Sequence, residues 1–163
     1  MAEGKGAPGT LIAALGNPLM GDDGAGLAIL EELRRRGAEQ RARLCDVGAA
    51  GVDLLIELNE ESALILLDAI AGADPPGTVR VFRNAELFEY AETRGGGSHQ
   101  PSLAGTLRLG DRLGMRPKML ALVGIVARQF ELGQGLSPEV AAAVPRAAEQ
   151  AERLLSEAAS LGC

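Results

Sequence analysis

Residues Ala63 to Ile70 read ALILLDAI, a run in which Asp68 is the one polar side chain. A strand that lies on a core with one face in water alternates apolar and polar residues; an uninterrupted apolar strand has to be covered on both faces. Two further runs share this character, Thr10 to Leu15 (TLIAAL) and Met119 to Ala127 (MLALVGIVA). Each is ended by turn residues or polar residues, as a short buried strand would be. Such strands occur where helices pack on both sides of a mostly parallel sheet, so the remainder of the chain has to supply those helices.

The intervening segments do so. From Asp23, Leu27, Leu30 and Leu33 recur at helical spacing, and Gly37 follows three arginines as a stop. Ala42 to Val47 reads as a second strand. Gly51 to Leu58 reads as a short helix with Val52, Leu55 and Ile56 on its apolar side. Asp74 to Gly77 (DPPG) marks a turn, after which Thr78 to Arg83 (TVRVFR) alternates with period two, as an antiparallel partner or edge strand does. A polar, glycine-rich loop, Glu92 to Gln100, precedes a helix from Ser102 to Leu113. Ser137-Pro138-Glu139 supplies an N-cap, a proline at the first helical position and an acid in the first turn. Val140, Val144, Ala148, Ala151 and Leu155 then form one stripe, which Pro145 should kink or split. The expected architecture is an α/β three-layer sandwich with a mostly parallel central sheet of about five strands and helices on both faces. At 163 residues the chain is expected to form a single domain, 1–163, with residues 1–9 as a flexible tail.

Composition narrows the function classes. Aromatic residues are 2% of the chain, so the core must be aliphatic, and a net charge of −6 provides no footprint for nucleic acid or an anionic membrane. No apolar signal core opens the sequence and no segment reaches the roughly 18 apolar residues of a membrane span, which suggests a cytoplasmic protein. Cys45 and Cys163 form no CxxC pair; Cys45 reads as a core thiol and Cys163 as a terminal one. HExxH, GxSxG, GxGxxG and GxxxxGK[ST] are all absent. Acids stand where a phosphate loop would present amides, and they would repel a phosphate.

The residues capable of chemistry are Asp22 and Asp23 just past the first strand, Asp68 near the end of the third, and His99 in the glycine-rich loop. If the first and third strands are parallel and central, Asp23 and Asp68 meet at the carboxyl edge of the sheet, where ligands of such folds bind. With an imidazole from the His99 loop, two carboxylates suit a first-row divalent ion and leave coordination positions open for a substrate. Plainer roles compete: Asp22 as a helix N-cap, Asp23 as a favourable charge in a first helical turn, His99 as a solvated loop residue. Asp68 is different, because a carboxylate after four apolar residues is costly unless it is paired, bonded or metal-bound.

The order of these pieces resembles the hydrogenase maturation endopeptidases, which trim the C-terminal extension of the large subunit of nickel-iron hydrogenase. The resemblance runs from Leu11 to about Leu155 and rests on GNPLMGDDGAG after the first strand, LLDAI ending the third, SHQ before a helix, LVGI in the late strand and GLSPEV opening the last helix. It implies that Asp23, Asp68 and His99 contact nickel and carry catalysis, with Asp22 an adjacent family acid left here as a helix cap. It further implies that nickel arrives on the cysteines of the immature large subunit, that the protease docks by adding its three ligands to that ion, and that the enzyme holds no cofactor of its own. A metal-polarised carbonyl or metal-activated water would then react, with one carboxylate moving a proton. One departure is plain: relatives often read Asp-Gly-Gly-Thr after the second strand, where this chain has Asp46-Val47-Gly48-Ala49. The competing classes are a non-catalytic module that checks metal loading in a hydrogenase precursor, and a flavodoxin-like or Rossmann-like ligand domain.

Overall fold

The structure, a computed structural model, describes residues 9–49, 51–93 and 102–162. Five strands form one sheet: β1 (Thr10–Leu15), β2 (Arg43–Gly48), β3 (Ala63–Ile70), β4 (Val79–Arg83) and β5 (Met119–Val126), in the order β2-β1-β3-β5-β4. The first four in that order are parallel; β4 closes one edge antiparallel to β5. Every residue of β1, β3 and β5 is buried, as their unbroken apolar sequence requires. The α/β sandwich with a mostly parallel five-stranded sheet is therefore present as read, and β4 is both an antiparallel partner and an edge.

Two aliphatic cores flank the sheet. On one face Ile12, Ile29, Leu33, Ile65, Val123 and Leu154 pack beneath α1 (Ala25–Arg35) and α5 (Pro138–Ala159). On the other, Leu11, Leu54, Leu66, Leu87, Leu107 and Leu122 pack beneath α2 (Asp53–Glu57), α3 (Ala85–Thr93) and α4 (Leu103–Arg112). Neighbouring residues of β1 and β3 divide between the two cores because side chains alternate across a strand. No helix of the described residues is long and apolar enough to cross a membrane.

Several local expectations needed correction. In α2 the buried residue is Leu54, whereas Val52 is 40% and Ile56 78% exposed; at only five residues the helix is too short for its apolar spacing to select a face. Residue Pro145 does not split α5, which runs through as one element of 22 residues. Buried Ala143, Val144, Ala147 and Ala148 on either side hold the helix to the sheet and offset the lost backbone bond. Helix α3 has no capping signal in the local sequence, because its start is set by Asn84. That residue sits at φ 46°, ends the β4–β5 ladder by donating its amide to Leu120 O (2.8 Å), and accepts the Leu87 and Phe88 amides on its own carbonyl. Cys45 is half-buried against the α2–α4 core, and burial, followed by the nearby Glu57 charge, pushes its thiol pKa up.

Candidate active site

The chain leaves β1 through a loop that folds back on itself. The Asn17 side chain accepts the Leu19 amide (3.0 Å) and the Asn17 carbonyl accepts that of Met20 (3.0 Å), forming a tight turn through Pro18. A short 3-10 turn, Gly21–Gly24, then leads into α1. Gly26 makes this geometry possible: a methyl there would overlap the carbonyl oxygens of both Leu15 and Leu67. The N-terminus of α1 thus sits directly over the carboxyl ends of β1 and β3, and the Gly21–Gly24 turn packs against β3. Since the chain moves from β1 outward to β2 and later returns to the other side as β3, this is the point where strand order reverses, the place a ligand crevice forms in an open α/β sheet.

Asp23 and Asp68 both belong to this mouth. Asp23 is half-buried and takes the Asn17 amide on Oδ2 (2.8 Å), while its other oxygen receives no hydrogen bond from a described residue. Asp68 is 9% exposed and lies opposite Gly124 of β5, one strand position beyond the last paired residues of β1 and β3. Its alternation with Leu64, Leu66 and Ile70 places its side chain on the face covered by α2, α3 and α4. Asp46, at the end of β2, reaches the same edge of the sheet and accepts the Gly48 amide (3.1 Å).

His99 lies outside the described residues. Among the described residues no group of three His, Cys, Asp or Glu side chains is placed to hold a metal ion. The structure does show where α4, which follows the His99 segment, begins. Ser102 caps it by accepting the Gly105 amide (3.0 Å), and Thr106, one turn in, faces Gly51 just beyond the end of β2. Helix α4 therefore starts at the mouth end of the sheet and runs down toward the start of β5.

Asp22 has a role that local sequence did not reveal. It makes no capping bond to the turn or helix that follows it. Instead its fully buried carboxylate accepts the Arg128 and Gln129 amides (2.8 and 3.1 Å), the Ser137 amide (2.6 Å) and the Ser137 hydroxyl (2.9 Å). Its own amide donates to Gln129 O (2.9 Å). Burial opposes ionisation, but the amides of Ser137, Arg128 and Gln129 and the Ser137 hydroxyl outweigh it and hold the Asp22 pKa below its ordinary value. Asp22 thus locks the loop carrying Asp23 to the loop between β5 and α5. Ser137 was legible as a helix start, but nothing local linked it to Asp22.

Comparison with known proteins agrees with this architecture. The hydrogenase maturation protease family profile matches residues 27–154. The chain is 34% identical over 149 residues to the hydrogenase 2 maturation protease of Escherichia coli K12, covering 90% of each chain. It is 28% identical to the hydrogenase expression/formation protein HupD of Thiocapsa roseopersicina, covering 92% of this chain and 69% of that one. Among solved structures, the E. coli hydrogenase maturating endopeptidase HybD superposes with a TM-score of 0.80 at 33% identity, over 91% of this chain and 93% of the other. The [NiFe] hydrogenase maturation protease HybD from Thermococcus kodakarensis does so with a TM-score of 0.71 at 34% identity, over 90% and 99% of the respective chains. With a family profile matched over residues 27–154 and relatives of about one-third identity along nearly its whole length, on a sheet of this order, the chain belongs to the hydrogenase maturation protease family.

Proposed function

We propose that this protein is a cytoplasmic endopeptidase that removes the C-terminal extension of a nickel-iron hydrogenase large-subunit precursor, using the nickel already loaded in that precursor as its recognition signal. The observation that supports this reading is the family membership of the chain, together with an acid, Asp23, in the turn that follows β1 and another, Asp68, near the carboxyl end of the neighbouring strand β3. Asp23 keeps an oxygen without a described partner. His99 would complete the set from the segment leading into α4.

Two carboxylates and one imidazole form an open O,O,N set. Such a set binds a divalent ion too weakly to retain it alone, yet it adds readily to an ion held by cysteines on another protein. Cleavage would then wait for nickel insertion. In that complex the precursor's nickel supplies Lewis acidity, while one of the two carboxylates accepts a proton from the attacking water. The helix amides at the start of α1 add a favourable field for negative charge developing at the mouth.

The experiment is an intact-mass measurement of a matching nickel-iron hydrogenase large-subunit precursor, with and without nickel, after incubation with wild type and with Asp23→Ala. The expected result is loss of one C-terminal peptide, only with nickel and only with wild type. Stable binding at unchanged mass would replace the protease with a metal-checking module, and cleavage of the nickel-free precursor would remove nickel from the recognition step.

A further inference from the structure

Strand β4 is the free edge of the sheet on the side beyond β5. Val126 donates its amide to Thr78 O (2.9 Å) and Asn84 donates to Leu120 O (2.8 Å), so the even-numbered residues between them direct their backbone groups at β5. Val79, Val81 and Arg83 therefore turn their N–H and C=O groups outward, where no described residue meets them. An open edge of this kind is a template for one more extended chain.

Grooves lie along both faces of that edge. One, of about 600 Å³, runs between β4 and α5 over Val79 and Val81, walled by Thr78, Arg146, Glu149 and Gln150. The other, of about 430 Å³, runs between β4 and α3, where the rings of Phe82 and Tyr90 stack at 4.4 Å beside Arg80, Glu86 and Glu89. A strand added to β4 would send alternate side chains into each groove, the arrangement by which edge-binding domains combine backbone affinity with side-chain selectivity.

The edge is also level with the candidate active site. Asp68 pairs with Gly124, and Gly124 pairs with Arg80. Two strand spacings separate Asp68 from β4 and a third reaches an added strand, about 14 Å in the plane of the sheet, so a chain passing over the end of β5 needs at least about four extended residues to reach it. Because β4 is antiparallel to β5, its first residue, Val79, is at the mouth end and Arg83 at the far end. A chain leaving the mouth would meet Val79 first and run down the edge parallel to β4.

We infer that the β4 edge binds, by strand addition, the part of the precursor's C-terminal extension that lies at least about four residues beyond the bond to be cut. This inference rests on the protease reading above. It makes the extension a recognition element in its own right: a substrate is chosen by nickel at the mouth and by an extended peptide along β4. Parallel pairing is slightly weaker than antiparallel pairing, which suits a product that has to leave after one cut.

The test is single-turnover cleavage of the nickel-loaded precursor by wild type, Val81→Pro and Val81→Ala. Proline removes an outward N–H that β5 does not use, a substitution an edge strand tolerates. Val81→Ala trims the side chain but keeps the N–H, and thermal melts of both variants verify the fold. A second precursor, its extension cut back to three residues, cannot reach the edge. For the full extension Val81→Pro is expected to raise the half-saturating precursor concentration about tenfold, the effect of losing one or two hydrogen bonds, with the maximal rate nearly unchanged. Wild type on the shortened precursor should show the same loss, Val81→Pro should add nothing to it, and Val81→Ala should stay near wild type on the full extension. Equal cleavage by wild type and a folded Val81→Pro, or an equal loss on both precursors, overturns the strand-addition inference and leaves the protease reading standing. A wild-type dimer that becomes monomeric with Val81→Pro gives the edge to a second copy instead, and also overturns it. Failure of wild type to cleave any nickel-loaded precursor removes the protease reading and this inference with it.

Discussion

The Asp22 carboxylate accepts both the amide (2.6 Å) and the hydroxyl (2.9 Å) of Ser137, 115 residues later in the chain. Through this pair the loop that presents Asp23 is held to the N-terminus of α5. An ionised group this deeply buried is tolerable because all its bonds come from donors already fixed by the fold. Replacing Asp22 by Asn keeps the shape but removes the charge and turns a donor toward a donor, so it should cost about 2 kcal/mol in urea unfolding at neutral pH.

The pH dependence of that loss has a definite sign. The folded-state pKa of Asp22 lies below its unfolded value of 3.8, so the native state binds the ionised form more tightly. The stabilisation is complete above the unfolded pKa and is lost as pH falls through 3.8 toward the folded value. The gap between wild type and Asp22→Asn should therefore be largest at pH 6 to 7 and shrink on acidification below about pH 4. Urea midpoints of both proteins at a series of pH values check this; a gap that widens in acid would mean that Asp22 is not ionised in the fold.

Asp23, in contrast, receives one described hydrogen bond, from the Asn17 amide. Asp23→Ala should change stability by no more than about 1 kcal/mol while reducing precursor cleavage at least about a hundredfold. Melting curves read alongside mass spectra of the precursor separate the two effects. A comparable loss of both would reduce Asp23 to a loop anchor.

Gly26 tests the close approach of α1 to the sheet. A methyl there would overlap the carbonyl oxygens of Leu15 and Leu67, so Gly26→Ala must lift the start of the helix from β1 and β3. The expected destabilisation is about 3 kcal/mol, despite alanine being the better helix former. Cleavage should fall as well, because Asp23 moves with the helix.

The orientation of α2 is tested by two truncations. Leu54 is fully buried, and Leu54→Ala should cost about 3 kcal/mol, whereas Ile56, 78% exposed, should tolerate Ile56→Ser within about 0.5 kcal/mol. Denaturant midpoints decide it, and the reverse ranking would return Ile56 to the core.

What the sequence by itself determined is the set of features that arise within a few residues. The unbroken apolar runs of β1, β3 and β5 demanded cover on both faces, the alternation in β4 marked an antiparallel partner or an edge strand, and Ser137-Pro138-Glu139 announced α5. The acids flanking two such strands marked a mouth once the strands were taken as neighbours. Tertiary structure decided the rest. Short α2 could not choose its face alone, since five residues carry too little periodicity, and the sheet side took Leu54. Asn84 ended β4 and began α3 because its backbone bonds are divided between Leu120 and the helix that follows. Asp22 resembled a cap because acids favour helix starts, yet its donors came from residues 128, 129 and 137, which only the assembly of β1, β3 and β5 into one parallel sheet beneath α5 could bring to it. The open edge of β4 likewise belongs to the fold, because strand order, not strand sequence, leaves its outward amides without a neighbour.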